Sequence, residues 1–123
     1  YFIIKLLGWT MKINGNELYA YIVSGARNVI VNEQNLNRIN VFPVPDGDTG
    51  TNLALTMNSI LQGVEKVEDA NAVLNKVASI SIDNAYGNSG MIFAQYFIGW
   101  SKALETKTSI TPHELIESLK ATA

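Results

Sequence analysis

Residues 40–53 read NVFPVPDGDTGTNL, and this stretch decides both the class of the fold and where its chemistry would lie. Pro43 and Pro45 fix their own φ and hold their neighbours out of the α region, so the chain arrives extended. In an extended segment residues two apart point to one side. Asp46 and Asp48 therefore converge, and Gly47 lets the backbone bend toward the same point. Two hard oxygen ligands completed by water and phosphate are a usual way of holding Mg²⁺. Thr49, Thr51 and Asn52 follow, where a starting helix presents unpaired N–H groups and the positive end of its dipole. A metal loop running into an anion-binding helix start points to a nucleotide site.

A plainer reading is an Asp-rich turn with Asp48 or Thr49 as helix cap, and for a bare DGD it would prevail. A calcium loop of the EF-hand kind also opens D-x-D. It fails here, because Thr51 stands where that loop needs glycine and Met57 where it needs glutamate. The chain contains neither G-x-x-x-x-G-K-[ST] nor G-x-G-x-x-G, so a P-loop and a Rossmann fingerprint are both excluded.

A second signal is NAYGNSGMIFAQYF, residues 84–97. Gly87, Asn88, Ser89 and Gly90 lie between two helix-like segments, with Asn88 or Ser89 placed to cap the second. Small residues let backbone approach a ligand, and a helix N-terminus attracts phosphate. Alone, the segment reads more readily as a helix–helix turn with a glycine C-cap than as a ligand loop; its weight comes from occurring with the first motif.

Together, NVFPVPDGDTGTNL and the later GNSG resemble the nucleotide-binding domain of the dihydroxyacetone kinase L-type (DhaL) family. The nearest branch is the ATP-binding subunit of bacterial fatty acid kinase, or proteins in which that domain is fused to a DegV-type domain. The resemblance covers about residues 11–123. It implies an antiparallel helical barrel of about eight helices, with Mg²⁺ held against the phosphates of ATP or ADP at one mouth. By match, Asp46 and Asp48 would be magnesium ligands. Thr49, Gly50, Thr51 and Asn52 would contact phosphate from the first loop, and Asn88 and Ser89 from the second. The dihydroxyacetone branch carries a further upstream aspartate, for which Asn40, one residue out of register, is the nearest equivalent and a third candidate metal position. That branch also has histidine where this chain has Thr49, which favours the fatty acid branch. Tyr86 stands where the fatty acid branch reads arginine.

Composition narrows the alternatives. With 47% hydrophobic and 16% charged residues over 123 positions, the chain fits one globular domain. A formal net charge of −2, with basic residues scattered, gives no footprint for nucleic acid. No cysteine is present, which excludes disulfides and thiolate metal sites and fits a cytoplasmic protein. The lone histidine, His113, falls inside a helix-start signal and reads as a first-turn residue. YFIIKLLGWT, residues 1–10, is too short to span a bilayer and lacks the features of a signal peptide. It is set aside as an upstream extension of uncertain origin, the competing possibility being a hydrophobic strap on the helices.

Helical periodicity then places the elements. A first helix, capped by Asn16, runs to about residue 32 with Leu18, Ile22, Gly25, Ala26 and Val29 inward. A polar, Asn-rich connector leads to the proline loop. Further helices are predicted over about 51–67 (Leu53, Met57, Ile60, Leu61 and Val64 inward), 69–86 (Val73, Leu74, Val77, Ile80 and Ala85) and 88–105 (Ile92, Phe93, Tyr96, Phe97, Trp100 and Leu104). Thr111-Pro112-His113-Glu114 is a capping box with proline at the first helical position, opening a fifth. No period-2 run argues for a hairpin, so the class is all-α.

Five or so helices are fewer than the family barrel has, so the chain is expected to be the N-terminal part of such a domain. Its uncovered apolar faces would favour association, a homodimer being one form of it. Two functions remain open. One is the Mg-ATP-binding part of a kinase whose acceptor, a fatty acid or, in the glycerone-kinase manner, dihydroxyacetone, sits on a partner; the fragment alone is expected to be inactive. The other is a non-catalytic helical interaction module whose DGD and GNSG segments are only caps and turns.

Overall fold

The structure, a computed structural model, describes residues 2–40 and 47–123, with only the backbone at positions 7 and 9. Among the described residues it contains seven helices and no strand. They are α1 (Phe2–Thr10), α2 (Gly15–Val31), α3 (Glu33–Arg38), α4 (Thr49–Gly63), α5 (Ala70–Asn84), α6 (Gly87–Ala103) and α7 (Pro112–Thr122). Short polar side chains start three of them. Asn14 Oδ1 accepts from the Glu17 N–H at 3.1 Å, and Asp69 Oδ1 accepts from the Asn71 and Ala72 N–H groups at 2.9 and 3.3 Å. At α7 the expected capping box forms, with reciprocal 3.0 Å bonds between Thr111 and Glu114.

The chain runs up and down. Asn71, at the start of α5, donates to the Leu104 carbonyl beyond the end of α6 at 3.1 Å, so α5 and α6 are antiparallel. The start of α2 meets the start of α5, where the Gly15 N–H donates to the Glu68 carbonyl at 2.6 Å. α2 and α5 therefore climb toward the end of the bundle at which α4 and α6 begin. The opposite end is tied by an isolated antiparallel bridge between Ile13 and Ile110. α4 touches α2, α3, α5 and α6, and so forms the centre.

Leu18, Ile60, Val73, Leu74, Val77 and Ile110 are fully buried, with Leu53, Met57, Val64, Trp100 and Leu104 close behind. Apart from Ile110, which lies between α6 and α7, these belong to the expected inward faces of α2, α4 and α5 and the second half of α6. The first half of α6 differs: Ile92 is 69% exposed and Phe93 37%. Among the described residues no helix covers that side. Between α2, α4 and α6 an apolar hollow of about 270 Å³ remains, lined in part by Ile22, Met57, Phe93, Phe97 and Trp100. Gly25, expected inward, is also exposed.

Two local expectations are corrected. The first core helix starts one residue after Asn14, with Asn14 and not Asn16 as its cap. Gly15 is held there because its N–H is bonded to Glu68 and an added Cβ would overlap the Val67 carbonyl oxygen. The Asn-rich connector coils into α3, stabilised by bonds such as Asn32 Nδ2 to the Asn28 carbonyl at 2.8 Å. Polar self-capping of this kind leaves no apolar period to read. Residues 2–10, set aside above, form α1, which rests on α7 and leaves Phe2, Ile3 and Ile4 exposed.

Candidate functional site

The first motif opens α4, and its helix start is capped from outside. Asp48 is the N-cap residue, yet its own side chain makes no cap bond. Instead Asn40 Oδ1 accepts from the backbone N–H groups of Asp48 and Thr49 at 3.0 and 3.1 Å. Asn37, on α3, forms a reciprocal pair with Thr51: its Oδ1 accepts from the Thr51 N–H at 3.0 Å and its Nδ2 donates to Thr51 Oγ1 at 2.9 Å. Donors that a helix start leaves unpaired are thus satisfied by two asparagines. Gly50 makes this approach possible. It is buried, and a Cβ there would overlap the Glu33 carbonyl oxygen and crowd Leu36 and Asn37.

The second motif opens α6 one residue earlier than expected. Gly87 turns the chain with φ +64°, so the helix begins at Gly87, and Asn88 and Ser89 lie inside its first turn instead of capping it. Tyr86 is the N-cap residue, and its own side chain makes no cap bond. The start of α6 carries the positive end of its dipole.

These two helix starts meet. Ser89 Oγ donates to the Thr49 carbonyl at 3.4 Å. Gly87 lies on the Asn52 side chain, which a Cβ would overlap. Beneath them Thr56, fully buried, donates to the Asn52 carbonyl at 2.9 Å and accepts from the Tyr86 N–H at 3.1 Å. Gly90 packs directly on the same hydroxyl. Thr49, Gly50, Thr51, Asn52, Asn88 and Ser89 thus belong to one end of the bundle, with the Asp48 carboxylate and Asn88 exposed there. Asp46 lies outside the described residues. Among the described residues no cluster of three or more carboxylates or imidazoles forms.

Two residues that organise this end escape a reading of the motifs alone. Asn37 is one asparagine among several between residues 28 and 40, and nothing in the sequence separates it from its neighbours. Thr56 did leave a signal: it follows Asn52 by one helical turn and is a polar position on an otherwise apolar face.

The family described as DAK2 domain matches residues 43–123 of the chain. Protein YloV of Bacillus subtilis (strain 168) is 40% identical over 111 residues, covering 89% of this chain and 20% of that protein. The uncharacterized proteins SSP1546 of Staphylococcus saprophyticus and SAUSA300_1119 of Staphylococcus aureus (strain USA300) are each 42% identical over 112 residues, again covering 89% of this chain and 20% of theirs. The chain spans about a fifth of the length of these relatives. No helix among the described residues is long and apolar enough to cross a membrane.

Proposed function

This chain belongs to the DAK2 domain family, a kinase-related family of DhaL-like nucleotide-binding modules, and from that premise we propose that it is the Mg-ATP-binding part of a phosphotransferase. The observation that carries the reading is the junction of two helix starts, with Ser89 Oγ on the Thr49 carbonyl and no cap bond from the side chain of Tyr86, the α6 N-cap residue. Phosphoryl transfer needs positioning and charge neutralisation above all. Two helix starts at one end of the bundle and an exposed aspartate supply the elements of both.

The donor set fits a magnesium–phosphate ligand. It consists of hard oxygens: the Asp48 carboxylate, the Thr49, Thr51 and Ser89 hydroxyls and, by the family match, Asp46. Asp46 and Asp48 would hold the ion, which would neutralise charge on the phosphates. Asn88 and Ser89 would receive phosphate at the start of α6. Asn40, whose Oδ1 already accepts two N–H groups, would act mainly by fixing the Asp48–Thr49 backbone.

As acceptor we propose a fatty acid presented by a DegV-type protein or fused domain, the product being an acyl phosphate. Thr49 in place of histidine favours this over transfer to dihydroxyacetone. One observation favours the non-catalytic alternative: the α4 start is already satisfied by Asn37 and Asn40 without any ligand. The test is γ-labelled ATP with Mg²⁺ and a fatty-acid-loaded DegV-type protein, using a protein that carries this domain at the length of its relatives. Labelled acyl phosphate is the expected result, its label released as inorganic phosphate when hydroxylamine converts the acyl group to a hydroxamate. Nucleotide binding without transfer to a fatty acid would remove this acceptor, and no nucleotide binding would favour the interaction module.

A further inference from the structure

We propose that Asn37 is a positioning residue of this site: it sets the direction of the Thr51 hydroxyl proton and so prepares that hydroxyl to donate to a phosphate oxygen. The inference rests on the nucleotide reading above. A carboxamide has one accepting end and one donating end. The Thr51 N–H can only donate, so the end of Asn37 facing it at 3.0 Å is Oδ1. That leaves Nδ2 facing Thr51 Oγ1 at 2.9 Å, and an amide nitrogen cannot accept. The network fixes the amide orientation, and the hydroxyl must receive. Its own proton then points elsewhere.

Threonine and serine in a helix often turn that proton back onto the carbonyl one turn earlier. Thr56 does so onto Asn52 at 2.9 Å, and Ser59 onto Leu55 at 3.2 Å. Thr51 is exposed and, among the described residues, donates to no such carbonyl. With one lone pair already engaged by Asn37 and its proton given to no acceptor among the described residues, it suits an accepting oxygen better than a cation. Gly50 is what allows α3 close enough for Asn37 to reach.

The experiment is a calorimetric titration of Mg-ADP into the wild type, N37A, T51V and the double variant, each with its melting temperature. N37A and T51V are each expected to weaken binding about tenfold, the scale of a hydrogen bond to a charged group. The double variant should bind within about twofold of T51V, because non-additivity marks residues acting through one another. A double variant about a hundredfold weaker than the wild type would mean independent structural effects and overturn the proposal. Wild-type affinity in N37A would do the same. If N37A does not fold, N37D keeps the acceptor for the Thr51 N–H and loses the donor. Its loss of affinity should be larger alone than in the T51V background, and equal losses would overturn the proposal. A wild type that takes up no Mg-ADP fails the nucleotide reading itself, an outcome distinct from an unaffected N37A.

Discussion

The Ser89 hydroxyl donates to the backbone carbonyl of Thr49 at 3.4 Å, joining residues 40 positions apart. Carbonyls in the first turn of a helix normally face their own next turn, so a donor from another helix start means that the two first turns are packed together. Gly87 on the Asn52 side chain and Thr56 under the Tyr86 N–H hold the same junction from two further directions.

Asp48 is exposed and its side chain makes no cap bond. Asp48→Asn should therefore change stability by no more than about 0.5 kcal/mol, the usual range for a surface substitution. Mg²⁺-dependent nucleotide binding and phosphoryl transfer should be lost. Thermal melts and a binding titration on the same preparation check both halves.

Two glycines give opposite expectations for one substitution. Nothing lies within 4 Å of a Cβ added to Gly25, so Gly25→Ala in the interior of α2 should stabilise by about 0.5–1 kcal/mol. A Cβ on Gly50 would overlap the Glu33 carbonyl. Gly50→Ala should cost about 1–3 kcal/mol, as overpacking does, and push α3 with Asn37 away from Thr51. Denaturant midpoints measure both.

Thr56→Val removes the buried hydroxyl that receives the Tyr86 N–H and leaves that donor unpaired. The expected cost is about 1–3 kcal/mol. Hydrogen exchange should be faster at the Tyr86 amide than in the wild type, with α7 amides unchanged.

The start of α7 carries a pH signature. The Lys107 ammonium bonded to Glu114 at 2.8 Å, helped by the Thr111 N–H, holds the Glu114 carboxyl down from its ordinary 4.5 to about 2. A lowered folded-state pKa adds stability above the unfolded value, and that stability is lost as pH falls through the folded one. The contribution is thus complete above about pH 4.5 and fades toward about pH 2. In melts across that window Glu114→Gln should lose this slope. At neutral pH Thr111→Ala should cost about 1 kcal/mol, the usual value of an N-cap.

Much of this molecule could be read from residue spacing. The core faces of α2, α4 and α5 follow the 3.6-residue period of Leu18, Met57, Ile60, Val73 and Val77, and the Thr111–Glu114 box marked its helix because capping chemistry is local. What escaped reading depends on contacts between distant segments. Asn37 is distinguished from Asn35 only by the nearness of Thr51, and α3 is held by polar bonds that carry no hydrophobic period. The start of α6 moved to Gly87 because positive φ at that glycine fits the Asn52 side chain beneath it. The meeting of the two motifs was legible only through the assumption that both face one ligand. The Ser89–Thr49 bond gives it a geometric basis.

The central claim is that the joined starts of α4 and α6 bind a magnesium–nucleotide complex. Calorimetric titration of ADP into the wild-type chain, with and without Mg²⁺ and repeated with Ser89→Ala, tests it most directly. Saturable binding that requires Mg²⁺ and weakens about tenfold in Ser89→Ala is the expected result, the variant lacking a hydroxyl beside a charged oxygen. Absence of binding in the wild type, or binding indifferent both to Mg²⁺ and to Ser89, would contradict it.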